Sequence, residues 1–298
     1  MESRIDASRQ WTTSGGDLSE SGQKLNSRML VIENRSGRLH IDFRELWEYR
    51  ELLHALVVRE LKVRYKQTFI GVSWVLLQPL VTMLIFTVIF GGLAKMPSDN
   101  VWYPVFALTA LLPWTYFSQA VTRAGAALVG NANLVSKVYF PRILLPFSMI
   151  VAPLVDLALS LLLLFPLMLY AGIPLTWKVI TLPVFVCFAM LTAMGISLFI
   201  SAANVKYRDV GHAVPFLIQI WMFVSPIVYP VSLVPERWRW LYGLNPMAGV
   251  IEGFRWALLG QTVPDVAVMT VSTLVFLVVL IAGLMYFRQM ERQFADVI

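Results

Sequence analysis

The chain has 298 residues, of which 58% are hydrophobic and only 14% charged, where a soluble domain carries about 25% charged residues. With a mean hydropathy of +0.68, a fold of this size has too little core to hide its apolar surface from water, so lipid must be the solvent for much of it. One cysteine, Cys187, and three scattered histidines, His40, His54 and His212, exclude a disulfide framework, a thiolate metal site and a histidine metal cluster.

Residues 1–40 are expected to form a flexible cytoplasmic segment. Met1 to Arg28 is polar and rich in Ser and Gly, with no apolar run that would serve as a signal peptide. Met29 to Ile41 carries a short apolar stretch, then Asn34-Arg-Ser-Gly37, and reads as a hairpin or extended segment. Over 41–68 the pattern predicts an amphipathic helix. Phe43, Leu46, Trp47, Leu53, Leu56, Val57 and Leu61 form one face, and Arg, Glu, Lys and His fill the other. Fusion to an apolar span favours the membrane interface over an ordinary soluble helix.

Residues 69–298 then form a six-span transmembrane domain. Charge-free gaps, and one interrupted only by Asp156, place spans at about 69–93, 102–122, 143–170, 179–201, 212–231 and 266–287. Each gap exceeds the roughly 20 residues a helix needs to cross about 30 Å of hydrocarbon. Nineteen Lys and Arg residues fall on the side of the termini and five on the other, so the positive-inside rule puts both termini in the cytoplasm. Trp102, Trp177, Trp238, Trp240 and Trp256 then sit near the outer boundary, where an amphipathic ring prefers to lie.

Two connections are unusual. Asn131 to Arg142 is short, basic and partly amphipathic, and reads equally well as a topology anchor or a docking helix. Tyr229 to Asp265 is too apolar for a solvated loop and too broken for a span. Pro235 at a helix N1 position, Asn245-Pro246 as N-cap and N1, and Gly260 as a stop predict two short helices that dip into the outer leaflet. The expected class is therefore an all-α membrane protein of six transmembrane helices, with an N-terminal amphipathic interface helix and two short outer re-entrant helices between spans five and six.

Catalytic motifs are absent. The chain has no G-x-x-x-x-G-K-[ST] phosphate loop, no H-E-x-x-H and no G-x-S-x-G. Asp156 is the single Asp, Glu, Lys or Arg inside a span. It is either functional or a bundle residue bonded to a neighbouring Ser, Tyr or backbone group. Arg59, Lys62, Arg64 and Lys66 can clamp an anionic lipid headgroup at the inner interface, or simply anchor the topology. Intramembrane aromatics, Trp74, Trp221 and Tyr229 among them, either stack on sugar rings or only pack.

Seven motifs share one likeness. Val58-Arg-Glu-Leu-Lys-Val-Arg-Tyr-Lys-Gln-Thr68 with Gly71, Trp74 and Pro79 resembles the entrance to the first span of polysaccharide-exporting ABC permeases. So do Leu112-Pro-Trp114, Asn133-Leu-Val-Ser-Lys-Val-Tyr-Phe-Pro141, Asn204-Val-Lys-Tyr-Arg-Asp209, Ser225-Pro-Ile-Val-Tyr229, Asn245-Pro-Met247 and Glu291-Arg-Gln-Phe-Ala-Asp296. The likeness runs from about Ile41 to the C-terminus and points to the O-antigen and teichoic acid export group of the ABC type-2 permeases.

That resemblance implies a homodimer in the bacterial inner membrane bound to two cytosolic ATPase subunits. ATP and Mg would sit on those partners, leaving this chain without a cofactor, metal or catalytic residue. The cargo would be a lipid-linked polysaccharide, commonly on undecaprenyl pyrophosphate, such as the O-antigen of lipopolysaccharide or a capsule-like glycan. The resemblance also implies an ATPase-coupling segment carrying Asn131, Asn133, Lys137, Tyr139, Phe140 and Arg142, and an outer gate carrying Trp238, Trp240, Glu252 and Arg255. Spans one and five, with Trp74, Trp221 and Tyr229, would border the channel. The rivals are an ABC exporter of a drug, haem or simple lipid, a secondary transporter, and a membrane glycosyltransferase. One Asp and no visible repeat weigh against the second, and the missing carboxylate cluster against the third.

Overall fold

The computed structural model describes residues 47–66, 71–260, 263–291 and Phe294. The expected flexible segment 1–40, the hairpin at Met29 to Ile41 and the start of the interface helix lie outside these residues. Among the described residues the fold is all-α, with no strand.

Helix α1 (Arg50–Tyr65) is fastened to the rest by Leu56, which is buried among Leu128, Phe140, Leu144, Phe287 and Phe294. Trp47 and Val63 stay exposed. Helix α2 (Gly71–Phe86) continues into a π-helical stretch, Thr87–Leu93, where the N–H of Ala94 reaches Ile89 O at 2.8 Å. Then follow α3 (Tyr103–Gly125), the short α4 (Ala127–Gly130) and α5 (Ala132–Lys137), and α6 (Leu144–Val151) with α7 (Pro153–Tyr170). The chain closes with α8 (Leu182–Lys206), α9 (Asp209–Val224), α10 (Glu236–Tyr242), α11 (Pro246–Leu259) and α12 (Val266–Glu291).

Four helical stretches among these residues are long and apolar enough to cross a membrane: Ser73–Leu93, Leu144–Tyr170, Trp177–Lys206 and Val266–Glu291. Their outer faces carry exposed Leu84 and Val88, Leu162 and Leu169, Val184, and Leu274 and Val278. Such faces are stable only against lipid.

Helix α3 reverses that pattern. Its 23 residues span about 35 Å at 1.5 Å each, enough to cross. It is less apolar than the four stretches yet buried along almost its whole length. Helices α2, α6, α7, α8, α9 and α11 surround it, so it presents little surface to lipid. That enclosure tolerates Thr109, Tyr116 and Gln119 within a transmembrane-length helix.

Over the fifth expected span, 212–231, the helix is shorter than the span. Helix α9 covers Asp209–Val224, 16 residues, or about 24 Å, and Ser225 is extended at φ −86°, ψ 149°. Pro226 sets this limit, because a proline disfavours helical geometry at the residue before it.

Small residues bring the helices together. A Cβ on Gly283 of α12 would collide with the carbonyl oxygen of Gly195 on α8. The two backbones therefore touch, as small residues permit in membrane bundles.

Candidate functional site

The last turn of α1 delivers Arg64 and Tyr65 to Asp156, which is only 6% exposed near the start of α7. Arg64 forms an ion pair with the Asp156 carboxylate, and the Tyr65 hydroxyl donates to it. Arg64 Nη2 also donates to Gln119 Oε1 of α3 at 2.6 Å. Burial, then the bond to Asp156, pushes the Tyr65 hydroxyl up to about 12, so it remains a protonated donor at physiological pH. Of the partners expected for Asp156, a tyrosine is present, and an arginine joins it. Removing one member of such a pair strands the other charge.

These residues line a cleft of about 580 Å³ between α2, α3 and α7, within the size range of small-molecule sites. Arg64, Arg123, Gln119 and Asp156 give it polar walls. Trp74, Val75, Pro79, Leu112, Pro153 and Leu157 give it apolar ones.

The four cations expected at a headgroup separate. Arg59, Lys62 and Lys66 line a groove of about 540 Å³ along α1 with Ala55, Val58 and Val63. Arg64 points elsewhere, into the α2–α3–α7 cleft. Arg59 Nη2 reaches both Glu60 and Asn131, each at 2.9 Å, so it ties α1 to the connection after α3.

In that connection, Asn131 sits at the N-terminus of α5 and donates to Ala127 O at 2.8 Å. Helix α5 ends at Lys137, and Val138 is extended at φ −124°, ψ 133°. The helix therefore stops before Tyr139 rather than at Pro141, as Pro141 alone would suggest. Asn133, Lys137 and Tyr139 are exposed, Tyr139 at 71%. Phe140 is 5% exposed and belongs to the core around Leu56 and Leu144. Arg142 donates to the carbonyl of Glu291 and lies over the Phe294 ring. The segment thus has a free face at Asn133, Lys137 and Tyr139, and a clamped face at Phe140 and Arg142.

At the other end, Asn245 caps α11 by accepting from Met247 N at 3.0 Å, with Pro246 in the first turn. Gly260 ends α11 at φ +70°, a left-handed geometry that favours glycine. Pro235 occupies the N-cap of α10, one position earlier than its expected N1 place. The four expected gate residues divide. Trp238 and Trp240 are about half exposed on α10. Arg255 is 7% exposed, pairs with Glu252 at 3.4 Å, donates to Ile227 O at 3.1 Å and lies 3.7 Å over the Phe106 ring. Arg255, paired with Glu252 on the same helix, staples α11 to the turn after α9 and to α3.

The aromatic trio also divides. Trp74 is exposed and lines the α2–α3–α7 cleft. Trp221 packs edge-on against Phe117 and Trp114 of α3, and the Tyr229 hydroxyl meets that of Tyr242. On α3, Leu112, Tyr116, Gln119 and Arg123 share one face at helical spacing, and Trp114 and Phe117 fall on the opposite one. Trp74 and Trp221 therefore touch opposite sides of α3.

Sequence reasoning missed Tyr65, Gln119 and Arg123 as cleft residues. The available signal was the i, i+4 spacing of Gln119 and Arg123, a polar stripe at one end of an otherwise apolar helix. In sequence, Asn204 stands out only as the start of the Asn204 to Asp209 motif. It joins helices by donating to Gly125 O at 3.1 Å and accepting from Gly211 N at 3.0 Å.

The chain is similar over most of its length to known transport proteins. The chain is 33% identical over 259 residues to the O-antigen export system permease protein RfbA of Myxococcus xanthus, covering 85% of this chain and 97% of that protein. An O-antigen export system permease protein RfbA of Klebsiella pneumoniae is 26% identical over 252 residues, covering 83% and 95%. The polysialic acid transport protein KpsM of Escherichia coli is 26% identical over 254 residues, covering 80% and 93%. The family described as ABC-2 type transporter matches residues 51–259, and this chain, a multi-pass membrane component of a transporter, belongs to that family.

Proposed function

We propose that this chain is the transmembrane subunit of an ABC exporter that carries a lipid-linked polysaccharide, on a carrier such as undecaprenyl pyrophosphate, outward across the bacterial inner membrane. The observation that carries this reading is likeness over 85% and 80% of the chain to an O-antigen export system permease and a polysialic acid transport protein, proteins named for two different glycans. ATP is hydrolysed on a separate cytosolic subunit, and two copies of this chain pair with two of those subunits.

In this reading six spans cross the membrane: α2 with its π-helical extension, α3, α6 with α7, α8, α9 and α12. Both termini are cytoplasmic. Helices α10 and α11 dip into the outer leaflet as gate elements, and Trp238 and Trp240 lie at its surface. The short α9 supports this arrangement, because the turn at Ser225 to Pro230 completes the fifth crossing and is covered by α11 through Arg255. Non-helical backbone at membrane depth requires such protein cover.

Two copies are needed for the channel. Trp74 and Trp221 lie on opposite sides of α3, so a passage bordered by both has to form between protomers. Force enters at Asn133, Lys137 and Tyr139, the exposed face of 131–142, because this connection joins two spans. The basic groove of Arg59, Lys62 and Lys66 meets the anionic carrier headgroup at the cytoplasmic entrance.

The test is complementation. A cell that makes a lipid-linked glycan but lacks its permease should display surface glycan when this chain is expressed with its ATPase, and none when that ATPase is inactive. Accumulation of glycan inside the cell despite both subunits would overturn the reading.

A further inference from the structure

The α2–α3–α7 cleft has an arrangement that bundle packing does not require. Arg64, Arg123 and Asp156 of α7 all line it. Asp156 neutralises Arg64 through their ion pair. Arg123 lies in the electrostatic field of Arg64, Asp156 and Glu60, but among the described residues no carboxylate forms an ion pair with it. Two guanidiniums against one carboxylate leave one positive charge in excess inside a largely apolar wall.

The apolar end of the cleft matches that excess. From Arg123, α3 runs through Gln119, Tyr116, Thr115 and Leu112, a length of about 16 Å at 1.5 Å per residue. Charge lies at the Arg123 end and Leu112 at the other, and Trp74, Val75 and Leu157 add apolar wall. Trp74 and Gln78 of α2, both exposed, lie along its lining. Gln78 is a polar amide on an apolar transmembrane face, which is costly unless something polar meets it. A ligand that enters from the bilayer, carries an anion at one end and is apolar beyond it satisfies every wall of this cleft.

We propose that the cleft binds a membrane lipid whose headgroup carries a phosphate, with Arg123 and Arg64 on the phosphate and Trp74, Leu112 and Leu157 along its chain. Guanidinium is the side chain best suited to phosphate oxygens, which it engages in paired hydrogen bonds. Asp156 sets the affinity by competing for Arg64, and Tyr65 and Gln119 hold the competing groups in place. The site is separate from the groove of Arg59, Lys62 and Lys66 and does not depend on which cargo is exported.

The experiment uses the purified full-length chain, without ATPase or transport, so its outcome is independent of the export reading. Lipid retention is measured by native mass spectrometry with undecaprenyl phosphate, undecaprenol, phosphatidylglycerol and diacylglycerol as probes. At least one phosphorylated probe should bind about tenfold more tightly than its phosphate-free counterpart. Arg123→Gln should abolish that difference, and Arg123→Lys, which keeps the charge but loses the paired geometry, should keep only part of it. Preference for undecaprenyl phosphate identifies a polyprenyl carrier as the occupant, and preference for phosphatidylglycerol a bilayer phospholipid; either supports the site. Thr115→Trp, which fills the cleft and leaves every charge in place, should also abolish binding, and it keeps the test decisive if Arg123→Gln does not fold. Equal binding of phosphorylated and phosphate-free lipids, or undiminished binding in folded Arg123→Gln or Thr115→Trp, overturns the proposal.

Discussion

Arg59 of α1 donates to the side chain of Asn131, at the start of α5, across 2.9 Å and 72 positions of sequence. The bond joins the interface helix to the connection that follows α3, so displacement of either is felt by the other. Arg59 is 42% exposed, and solvent weakens such a bond to about 1 kcal/mol or less. Arg59→Ala and Asn131→Ala should each lower thermal stability slightly. A double-mutant cycle should show them non-additive, since each removes the same contact. Fully additive losses would mean that the two segments are not coupled through this bond.

The pairing of Arg64 with Asp156 carries a larger penalty when broken. Both side chains are mostly buried, at 17% and 9% exposure. Arg64→Ala should destabilise by about 3–5 kcal/mol, because it leaves a buried carboxylate without its cation. Arg64→Gln combined with Asp156→Asn removes both charges and should recover most of that loss. Thermal unfolding of the purified variants in one detergent checks the order. A double variant less stable than Arg64→Ala would show that the charges themselves are needed for folding.

Tyr139 and Phe140 are neighbours with opposite surroundings, one exposed and one in the core. Tyr139→Ala should leave stability within about 0.5 kcal/mol while weakening co-purification of the ATPase subunit. Phe140→Ala should cost about 3–5 kcal/mol of stability through the cavity it leaves. Changing both residues together would confuse these effects, so the single variants are compared by unfolding and by pull-down. Normal ATPase capture by Tyr139→Ala would remove it from the coupling face.

How much was legible in advance differs by element. The four apolar stretches were readable because a lipid-facing helix must be apolar residue by residue, a local demand that hydropathy registers. The cap at Asn245-Pro246 and the stop at Gly260 were readable for the same reason, since capping involves only neighbouring backbone. Helix α9 was overextended because Val228 and Tyr229 continue the apolar run, while the break at Ser225-Pro226 depends on backbone geometry that hydropathy ignores.

The sequence by itself determined that this is a helical membrane protein, where most of its membrane-length helices begin and end, and that it carries no phosphate-binding loop, since all three are written in local composition and spacing. Only the tertiary structure decided which polar groups meet. Tyr65 and Asp156 are 91 positions apart, and no periodicity along the chain reveals that the end of α1 lies against the start of α7. The same holds for Phe140, whose burial beside Leu56 and Phe294 depends on three distant segments converging. It also holds for Arg255, which resembles a surface cation in sequence but is enclosed by Glu252, Phe106 and the Ile227 carbonyl. Solvent exposure is a local pressure on every residue, whereas partner choice is set by how packed helices are rotated and offset, which only the assembled bundle determines.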